Sequence, residues 1–280
     1  DLARETLQGA FGFEEFLEGQ AEIVEEILTS RDGLAVMPTG GGKSLCYQLP
    51  ALCLEGVTIV VSPLIALMKD QVDALVAKGV AATLINSTLS HPEQRERIDR
   101  MRTGDYKLVY VAPERFRSEG FVAAMREVKV ALFAIDEAHC LSQWGHDFRP
   151  DYLRLGKARE VLGGPQCVAF TATATPVVRE DIVKVLGLEQ PFQIVTGFAR
   201  ANLSFNITPV ETKAAKFRRT REVVGEHRTG IVYCATRKRV EEVAETLSSW
   251  GVRCIGYHGG MTEEERESMQ DRFIRREVDV

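Results

Sequence analysis

The chain has 280 residues, of which 45% are hydrophobic and 27% are charged, and its formal net charge is −5. This length suits one large or two smaller α/β domains, and the composition is that of a globular protein with enough apolar residues for a core. No apolar run approaches the roughly 20 residues of a membrane span, and the first residues lack the layout of a secretory signal. We therefore expect neither membrane insertion nor secretion.

Six cysteines are spread along the chain without any C-x-x-C pair. Most of them lie in apolar stretches, which favours reduced thiols in a protein core over a disulfide framework or a zinc site. We therefore expect no zinc in this segment. The acidic net charge argues mildly against a protein that coats DNA through charge alone, but it leaves local basic patches open.

Short β-branched runs alternate with helical patterns up to Leu188, which predicts a parallel sheet with crossover helices. Nearly continuous hydrophobicity in these runs is typical of strands that are buried on both faces. The predicted strands are Gly33–Met37, Val57–Val61, Thr83–Ile85, Leu108–Val111, Ala131–Ile135 and Cys167–Phe170. Helical patterns between them include Leu64–Lys78 and Pro176–Leu186, the latter opened by a proline.

The alternation stops after Leu188, with a possible strand at Leu203–Ile207, and restarts at Gly230. The later predicted elements are the strand Gly230–Cys234, the helix Val240–Trp250, the strand Arg253–Tyr257 and the helix Glu263–Arg276. A further strand is expected to start at Val278. The pattern predicts two α/β domains, residues 1–200 and 201–280, with only part of the second present.

A glycine-rich turn follows the first predicted strand and carries the segment Thr39-Gly40-Gly41-Gly42-Lys43-Ser44. Glycines let the backbone wrap around phosphates with its N–H groups pointing inward, and the helix N-terminus that follows favours negative charge. Lys43 is expected to reach the β- and γ-phosphates of a nucleotide, and the Ser44 hydroxyl to ligate Mg²⁺. The alternative is a structural turn, which the Lys-Ser pair disfavours.

An acidic segment, Asp136-Glu137-Ala138-His139, follows another apolar strand. The carboxyl end of a parallel strand is where ligands bind in such sheets. Asp136 is expected to hold Mg²⁺ and Glu137 to orient and polarise an attacking water. Together with the glycine-rich turn, this segment predicts a site that hydrolyses a nucleoside triphosphate.

Both motifs resemble superfamily 2 helicases, and further segments resemble the RecQ family of ATP-dependent DNA helicases. The resemblance implies tandem RecA-like domains and adds His139 to the catalytic residues Lys43, Asp136 and Glu137. It implies that Phe13 and Gln20 bind adenine, although Leu17 stands where the family has arginine.

Three segments resemble parts of RecQ helicases that contact DNA. Ser62-Pro63 opens the first, and Tyr110–Arg115 is the second. The third, Cys140–Tyr152, resembles the aromatic-rich loop that senses single-stranded DNA. In it Trp144 and Phe148 offer stacking faces and Arg149 adds a cation. Burial of these aromatics in the core is the alternative.

The function that the resemblance implies is an ATP- and Mg²⁺-dependent motor that moves 3′→5′ on single-stranded DNA and unwinds duplexes in repair and recombination. Its partners are then single-stranded and partly duplex DNA, and its location is the nucleoid of a prokaryotic cytoplasm or a nucleus. The alternatives are an RNA-dependent ATPase of the same superfamily and a module that binds ATP and DNA without unwinding. The second alternative arises because no segment here matches the family's arginine finger.

Overall fold

The computed structural model describes residues 2–197 and 203–280. By its internal contacts the chain divides into two compact units, residues 1–200 and 201–280. Residues 198–202, at the predicted boundary between the two domains, lie outside the described part of the chain.

The first unit is built on a seven-stranded, parallel sheet with the strand order β3-β4-β2-β5-β6-β1-β7. The strands are β1 Gly33–Val36, β2 Val57–Val61, β3 Ala82–Ile85, β4 Leu108–Val111, β5 Val130–Ile135, β6 Cys167–Thr171 and β7 Phe192–Val195. The six strands predicted from the sequence are confirmed, with ends that differ by at most one residue. The α/β fold with a parallel sheet is therefore confirmed.

Both faces of this sheet are buried. Val57, Ile59 and Val61 of β2 belong to one hydrophobic cluster, whereas Val60 belongs to a second cluster on the other face. Side chains alternate between the two faces of a strand, so a strand covered on both sides is apolar at nearly every position, and Thr58 is the exception in β2. This is the pattern that identified the strands in the sequence.

Helices cover the two faces and connect the strands. In the first unit they are α1 Leu2–Thr6, α2 Gln20–Leu28, α3 Lys43–Cys53, α4 Ile65–Ala77, α5 His91–Arg102, α6 Glu119–Met125, α7 Leu155–Val161 and α8 Pro176–Leu186. The prediction for α8 is confirmed, and Thr175 caps it by accepting a hydrogen bond from the Val178 amide. No helix of the described residues is long and apolar enough to cross a membrane.

The sequence analysis missed β7, the edge strand beside β1. Only four residues form it, and their side chains are not continuously buried, so they lack the apolar signature of the inner strands. The pairing depends on Gly33, because a Cβ there would lie 2.1 Å from the ring of Phe192. Close packing of that ring on β1 is a tertiary contact that no local pattern indicates.

The second unit contains the helices α9 Lys213–His227, α10 Arg237–Ser249 and α11 Glu263–Ile274. Each begins at a threonine whose hydroxyl accepts a hydrogen bond from a first-turn amide, namely Thr212, Thr236 and Thr262. Such caps satisfy amides that have no partner within the helix. The two helices predicted in this unit are confirmed, with shifts of up to three residues at their ends.

The strands predicted in the second unit are wrong as strands. Among the described residues, Leu203–Ile207, Gly230–Cys234 and Arg253–Tyr257 form no continuous ladder. Apolar β-branched runs identify extended chain, but a strand also needs neighbours that pair along its length.

The pairing that does occur in the second unit is confined to its last residues. The Asp279 amide donates to the Arg253 carbonyl at 2.7 Å, and the Asp279 carbonyl accepts from the Gly230 amide at 3.0 Å. The Arg253 guanidinium also binds the Asp279 carboxylate at 2.6 and 2.9 Å. Three extended segments thus lie side by side, joined by a few main-chain hydrogen bonds.

Candidate active site

The predicted site segments gather at one edge of the first sheet. They follow the carboxyl ends of four strands: Met37–Ser44 follows β1, Ser62–Leu64 follows β2, Asp136–His139 follows β5, and Thr171 ends β6. Because all these strands are parallel, their carboxyl ends point the same way, and the segments meet.

The glycine-rich turn forms a tight backbone loop between β1 and α3. Gly40 and Gly42 have φ angles of +81° and +73°, which side-chain-bearing residues rarely adopt. The Gly41 amide donates to the Pro38 carbonyl at 2.9 Å, and α3 begins directly after the loop at Lys43. The geometry is that of a phosphate-binding loop at a helix N-terminus.

The charged and hydroxyl groups of this loop differ in their exposure. Lys43 and Ser44 are half-buried, while Thr39 is exposed at the tip. The Lys43 ammonium lies 3.4 Å from the Met37 carbonyl, a weak contact that leaves it able to bind an anion. Its positive charge also acts on Asp136, across the sheet edge.

Gln20, predicted to bind adenine, lies behind the loop and is 2% exposed. Its Nε2 donates to the carbonyls of Gly42 and Gly41 at 3.1 and 3.4 Å, and its Oε1 accepts from the Leu17 amide at 2.8 Å. A Cβ on Gly42 would lie 2.3 Å from this Nε2. Gln20 therefore supports the phosphate loop directly, a role that the sequence analysis missed, and its adenine contact stays a prediction.

Phe13 and Leu17 are exposed apolar residues that precede α2. They are 53% and 57% exposed, and a Cβ on Gly42 of the loop would lie 3.6 Å from Leu17. Exposed large apolar side chains suit a platform for a flat base, and the adenine contact of Phe13 stays a prediction. Leu17 supplies an aliphatic contact there.

Asp136 follows β5 and is held by the backbone around it. Its amide donates to the Val61 carbonyl at 2.8 Å, and its carbonyl accepts from the Tyr152 hydroxyl at 3.0 Å. Burial raises the pKa of the Asp136 carboxyl to about 6, and the nearby Glu137 charge adds to this effect. A carboxylate whose charge is unfavourable in the folded protein is well suited to a divalent cation, and with the Ser44 hydroxyl it fits Mg²⁺.

The raised pKa of Asp136 predicts a pH-dependent cost to the fold. The unfolded chain loses this proton near pH 3.8 and the folded chain near pH 6. Stability therefore falls as the pH rises from about 4 to 6, and the cost is fully present above pH 6. In buffers without Mg²⁺, Asp136→Asn should raise the melting temperature at pH 7.5 by several degrees, and the gain should disappear near pH 4.

Calorimetry across this pH range measures the effect, with Asp70→Asn, an exposed residue of α4, as the matched control. An equal gain at both pH values would mean that the charge of Asp136 is not the cause.

Glu137 has a left-handed backbone conformation, with φ of +48° and ψ of +44°. This conformation is strained for a residue with a side chain and is frequent at functional sites. Two hydrogen bonds hold it, from the Glu137 amide to the Asp136 carboxylate and from the Cys140 amide to the Glu137 carbonyl. The Glu137 carboxylate lies 3.4 Å from His139 Nδ1, whereas the Asp136 carboxylate accepts from the Glu137 amide, so the two carboxylates contact different groups.

His139 connects the acidic segment with two other parts of the site. Its Nδ1 lies 3.0 Å from the Thr171 hydroxyl and 3.4 Å from the Glu137 carboxylate. Its ring also stacks on His146 at a centroid distance of 4.2 Å. Burial lowers the pKa of His139, so at neutral pH the ring is neutral. Since the Thr171 hydroxyl donates to the Thr173 carbonyl, we assign the ring proton to Nδ1.

The aromatic loop after His139 projects into solvent. Trp144 is 77% exposed, and Phe148 is half-buried without joining either hydrophobic cluster. The loop folds back sharply at Gly145, where a Cβ would lie 2.4 Å from the His139 carbonyl. Trp144 therefore does not pack in the core that the described residues form. This argues against the alternative that the loop aromatics serve only to fill the core.

Arg149 joins the loop to the segment after β2. It donates to the Asp147 carboxylate at 2.9 and 3.1 Å and to the Pro63 carbonyl at 3.3 Å. The structure thus brings two of the predicted DNA-contacting segments together. Ser62 departs from the expectation of an exposed phosphate contact, because it is only 4% exposed.

Three potential metal ligands, His139, Cys140 and Asp147, lie within 4.8 Å of one another at the base of the loop. Each is already engaged. His139 binds Thr171, Asp147 binds Arg149, and burial raises the pKa of the Cys140 thiol to about 12, which disfavours the thiolate that metals require.

Comparison with known proteins identifies the family. A family model described as DEAD/DEAH box helicase matches residues 17–181, which include the phosphate loop and the acidic segment. The chain belongs to the DEAD/DEAH box helicase family. A second model, described as helicase conserved C-terminal domain, matches residues 215–280 of this helicase chain.

Relatives of the helicase chain confirm the resemblance to RecQ helicases. It is 46% identical over 280 residues to the ATP-dependent DNA helicase RecQ of Bacillus subtilis, a match that covers 99% of this chain and 47% of the relative. It is 42% identical to the protein of the same name from Pasteurella multocida, over 99% of this chain and 44% of the relative. The ATP-dependent DNA helicase Q5 of Rattus norvegicus is 42% identical, over 99% and 30%. The chain thus spans half or less of these relatives.

Solved structures show the same fold at low identity. The helicase MrfA bound to DNA and AMPPNP matches with a TM-score of 0.74 and 20% identity, over 100% of this chain and 43% of that one. The helicase Lhr of Mycobacterium smegmatis, bound to single-stranded DNA and AMP-PNP, matches with a TM-score of 0.66 and 18% identity, over 99% and 40%. The tandem RecA-like architecture expected from the sequence agrees with these folds.

Several residues of the site escaped the sequence analysis. Asp147 binds Arg149, and Tyr152 supports the Asp136 carbonyl. Both belong to the segment that resembles the aromatic-rich loop, but nothing local indicates which of its polar residues is a partner and which is exposed. The hydroxyl-rich end of β6 was a signal for Thr171, although not for its contact with His139.

Proposed function

We propose that this chain is the motor segment of an ATP-dependent DNA helicase, which couples ATP hydrolysis to movement along single-stranded DNA. The observation that carries the proposal is the position of His139, which contacts Glu137 on one side and the aromatic loop on the other. Because His139 contacts both, DNA binding at the aromatic loop can change the position of Glu137 in the nucleotide site.

The nucleotide half of the proposal assigns one role to each residue. The loop amides and Lys43 bind the phosphates, and Ser44 and Asp136 would hold Mg²⁺, whose charge would offset the negative charge of the phosphates. Glu137 accepts a proton from the attacking water and fixes its direction. The position of His139 keeps the Glu137 carboxylate oriented, since its Nδ1–H is shared between Glu137 and Thr171.

The DNA half of the proposal rests on the aromatic loop. Trp144 and Phe148 stack on bases, and Arg149 contacts the backbone after leaving Asp147. This chemistry suits a single strand, because only unpaired bases expose both faces. The resemblance to RecQ helicases implies 3′→5′ movement and a role in DNA repair and recombination, and we include both in the proposal.

Trp144→Ala tests the proposal. We expect the ATPase rate without DNA to stay unchanged, while the single-stranded DNA concentration for half-maximal stimulation rises about tenfold or more, since one base stack contributes about 1–3 kcal/mol. A titration of ATPase rate with an oligothymidylate measures this change. Phe205→Ala, at an aromatic that is 92% exposed outside the loop, should behave like the parent.

Unchanged stimulation in Trp144→Ala would remove the loop from the DNA interface. Stronger stimulation of the parent by RNA than by DNA would favour the alternative of an RNA-dependent ATPase. Phe148→Ala should behave like Trp144→Ala with a smaller change, because Phe148 exposes less of its ring.

We further propose that these 280 residues bind ATP and DNA but do not separate strands by themselves. The nucleotide contacts assigned above all lie before residue 140, and the second unit has few main-chain hydrogen bonds between its extended segments. Such a unit offers little resistance to deformation, and unwinding needs a second rigid body to move against the first. A strand-displacement assay with the isolated chain measures this, and efficient displacement would contradict it.

A further inference from the structure

A buried set of polar side chains lies between the nucleotide site and the segment after β2. Gln48 of α3 is 8% exposed, and its Nε2 donates to the Gln71 amide oxygen at 2.7 Å and to the Tyr110 hydroxyl at 2.9 Å. Tyr110 lies in β4 and is 1% exposed, and Gln71 lies on α4. Three elements that are far apart in sequence therefore meet at one amide nitrogen.

The hydrogen bonds fix the orientation of the Gln48 amide. If the amide were rotated by half a turn, its oxygen would face the Gln71 oxygen and one bond would be replaced by repulsion. Both protons on Nε2 are used, so neither Gln71 nor Tyr110 can move alone without leaving a buried donor unpaired, which costs more than an ordinary hydrogen bond contributes. The set thus behaves as one unit.

One end of this set reaches the nucleotide site. Tyr47, next to Gln48 on α3, packs edge-on against Tyr110 at a centroid distance of 6.4 Å. The hydroxyl of Tyr47 interacts with Ser44 and with Tyr110, and the Asp136 charge acts on both tyrosines. Burial raises the pKa of Tyr110 to about 12, so its hydroxyl keeps its proton.

The other end reaches the segment proposed to contact DNA. Gln71 lies in the second turn of α4, which begins at Ile65, directly after the Ser62–Leu64 segment. Main-chain hydrogen bonds within α4 join the turn that carries Gln71 to the turn that begins at Ile65, so the position of Gln71 constrains that of the preceding segment.

We propose that Gln48, Gln71 and Tyr110 form a positioning relay, which holds the Ser62–Leu64 segment in register with the nucleotide-binding helix α3. Tyr110 opens a segment that resembles a DNA-contacting turn, but its side chain is 1% exposed and that of Gln48 is 8% exposed, so neither offers a surface to DNA. The relay residues act on DNA affinity through α4, and the inference rests on the proposed function. Substitution of a buried glutamine without this role would lower the stability of the protein but leave its DNA affinity unchanged.

Gln48→Leu tests the relay, because it keeps the size of the side chain and removes both donors. We expect the ATPase rate without DNA to stay within about twofold of the parent, and the single-stranded DNA concentration for half-maximal stimulation to rise about tenfold, the equivalent of one buried hydrogen bond. The matched control is Gln94→Leu. Gln94 is 7% exposed and donates to the Leu89 carbonyl at 2.8 Å, away from the site. It should lower the melting temperature without changing the DNA titration.

A double-mutant cycle separates the relay from general loosening. In the Gln48→Leu background, Gln71→Leu should add less than about twofold, because the shared hydrogen bond is already lost. Multiplicative effects of the two substitutions, an unchanged DNA titration in Gln48→Leu, or an equal shift in Gln94→Leu would each overturn the relay. A parent protein that DNA does not stimulate would instead refute the proposed function, so the two failures are distinguishable.

Discussion

Lys43→Ala should reduce ATP turnover by at least about a hundredfold, a loss typical of a group that stabilises charge in the transition state. Lys43 opens α3 at the end of the glycine-rich loop, and its ammonium makes a single weak contact with the Met37 carbonyl. Its charge is therefore available for the phosphates rather than committed to another side chain. Lys43 is half-buried, and its ammonium contacts a backbone carbonyl rather than a core side chain, so the fold should survive its removal.

Steady-state phosphate release measures the turnover of Lys43→Ala, and circular dichroism with thermal melting checks the fold. The control is Lys157→Ala, at an exposed lysine of α7, which should match the parent in both measurements. Parent-like turnover in Lys43→Ala would show that the glycine-rich loop is not the catalytic phosphate site. A large drop in melting temperature would show instead that Lys43 stabilises the loop itself.

Glu137→Gln should reduce the hydrolysis rate by about a hundredfold or more, while Mg·ATP binding changes little. The substitution keeps the shape of the side chain and removes the group that accepts the proton. Glu137 also differs from Asp136 in its backbone conformation, which directs its carboxylate toward His139 rather than into the sheet edge. The two carboxylates are therefore separable by mutation.

Binding of a fluorescent ATP analogue, measured beside single-turnover hydrolysis, distinguishes the two roles. Asp136→Asn is the informative comparison, because loss of a metal ligand should weaken Mg·ATP binding and hydrolysis together. If Glu137→Gln instead lost affinity in parallel with rate, Glu137 would be a metal ligand or a structural residue. Hydrolysis at the parent rate would exclude it as the base.

The sequence by itself determined the sheet and the identity of the main groups in the site. Six of the seven strands, five of them inner, were recognisable because burial on both faces favours apolar residues at nearly every position, and this preference is local. The glycine-rich loop and the acidic segment were equally recognisable. Backbone approach to phosphate needs glycine, and a carboxylate after a buried strand can lie only at the sheet edge. These rules depend only on residues that are neighbours in sequence, so a sequence pattern is enough to predict the features.

Only the tertiary structure decided which of these groups touch one another. The contacts of His139 with Thr171 and His146, of Arg149 with Pro63, and of Gln48 with Gln71 join residues from different elements. Their partners depend on strand order and helix packing, and strand order is not encoded in any one segment. The same reason explains the missed edge strand β7 and the wrong strands of the second unit, since pairing is a property of neighbours in space.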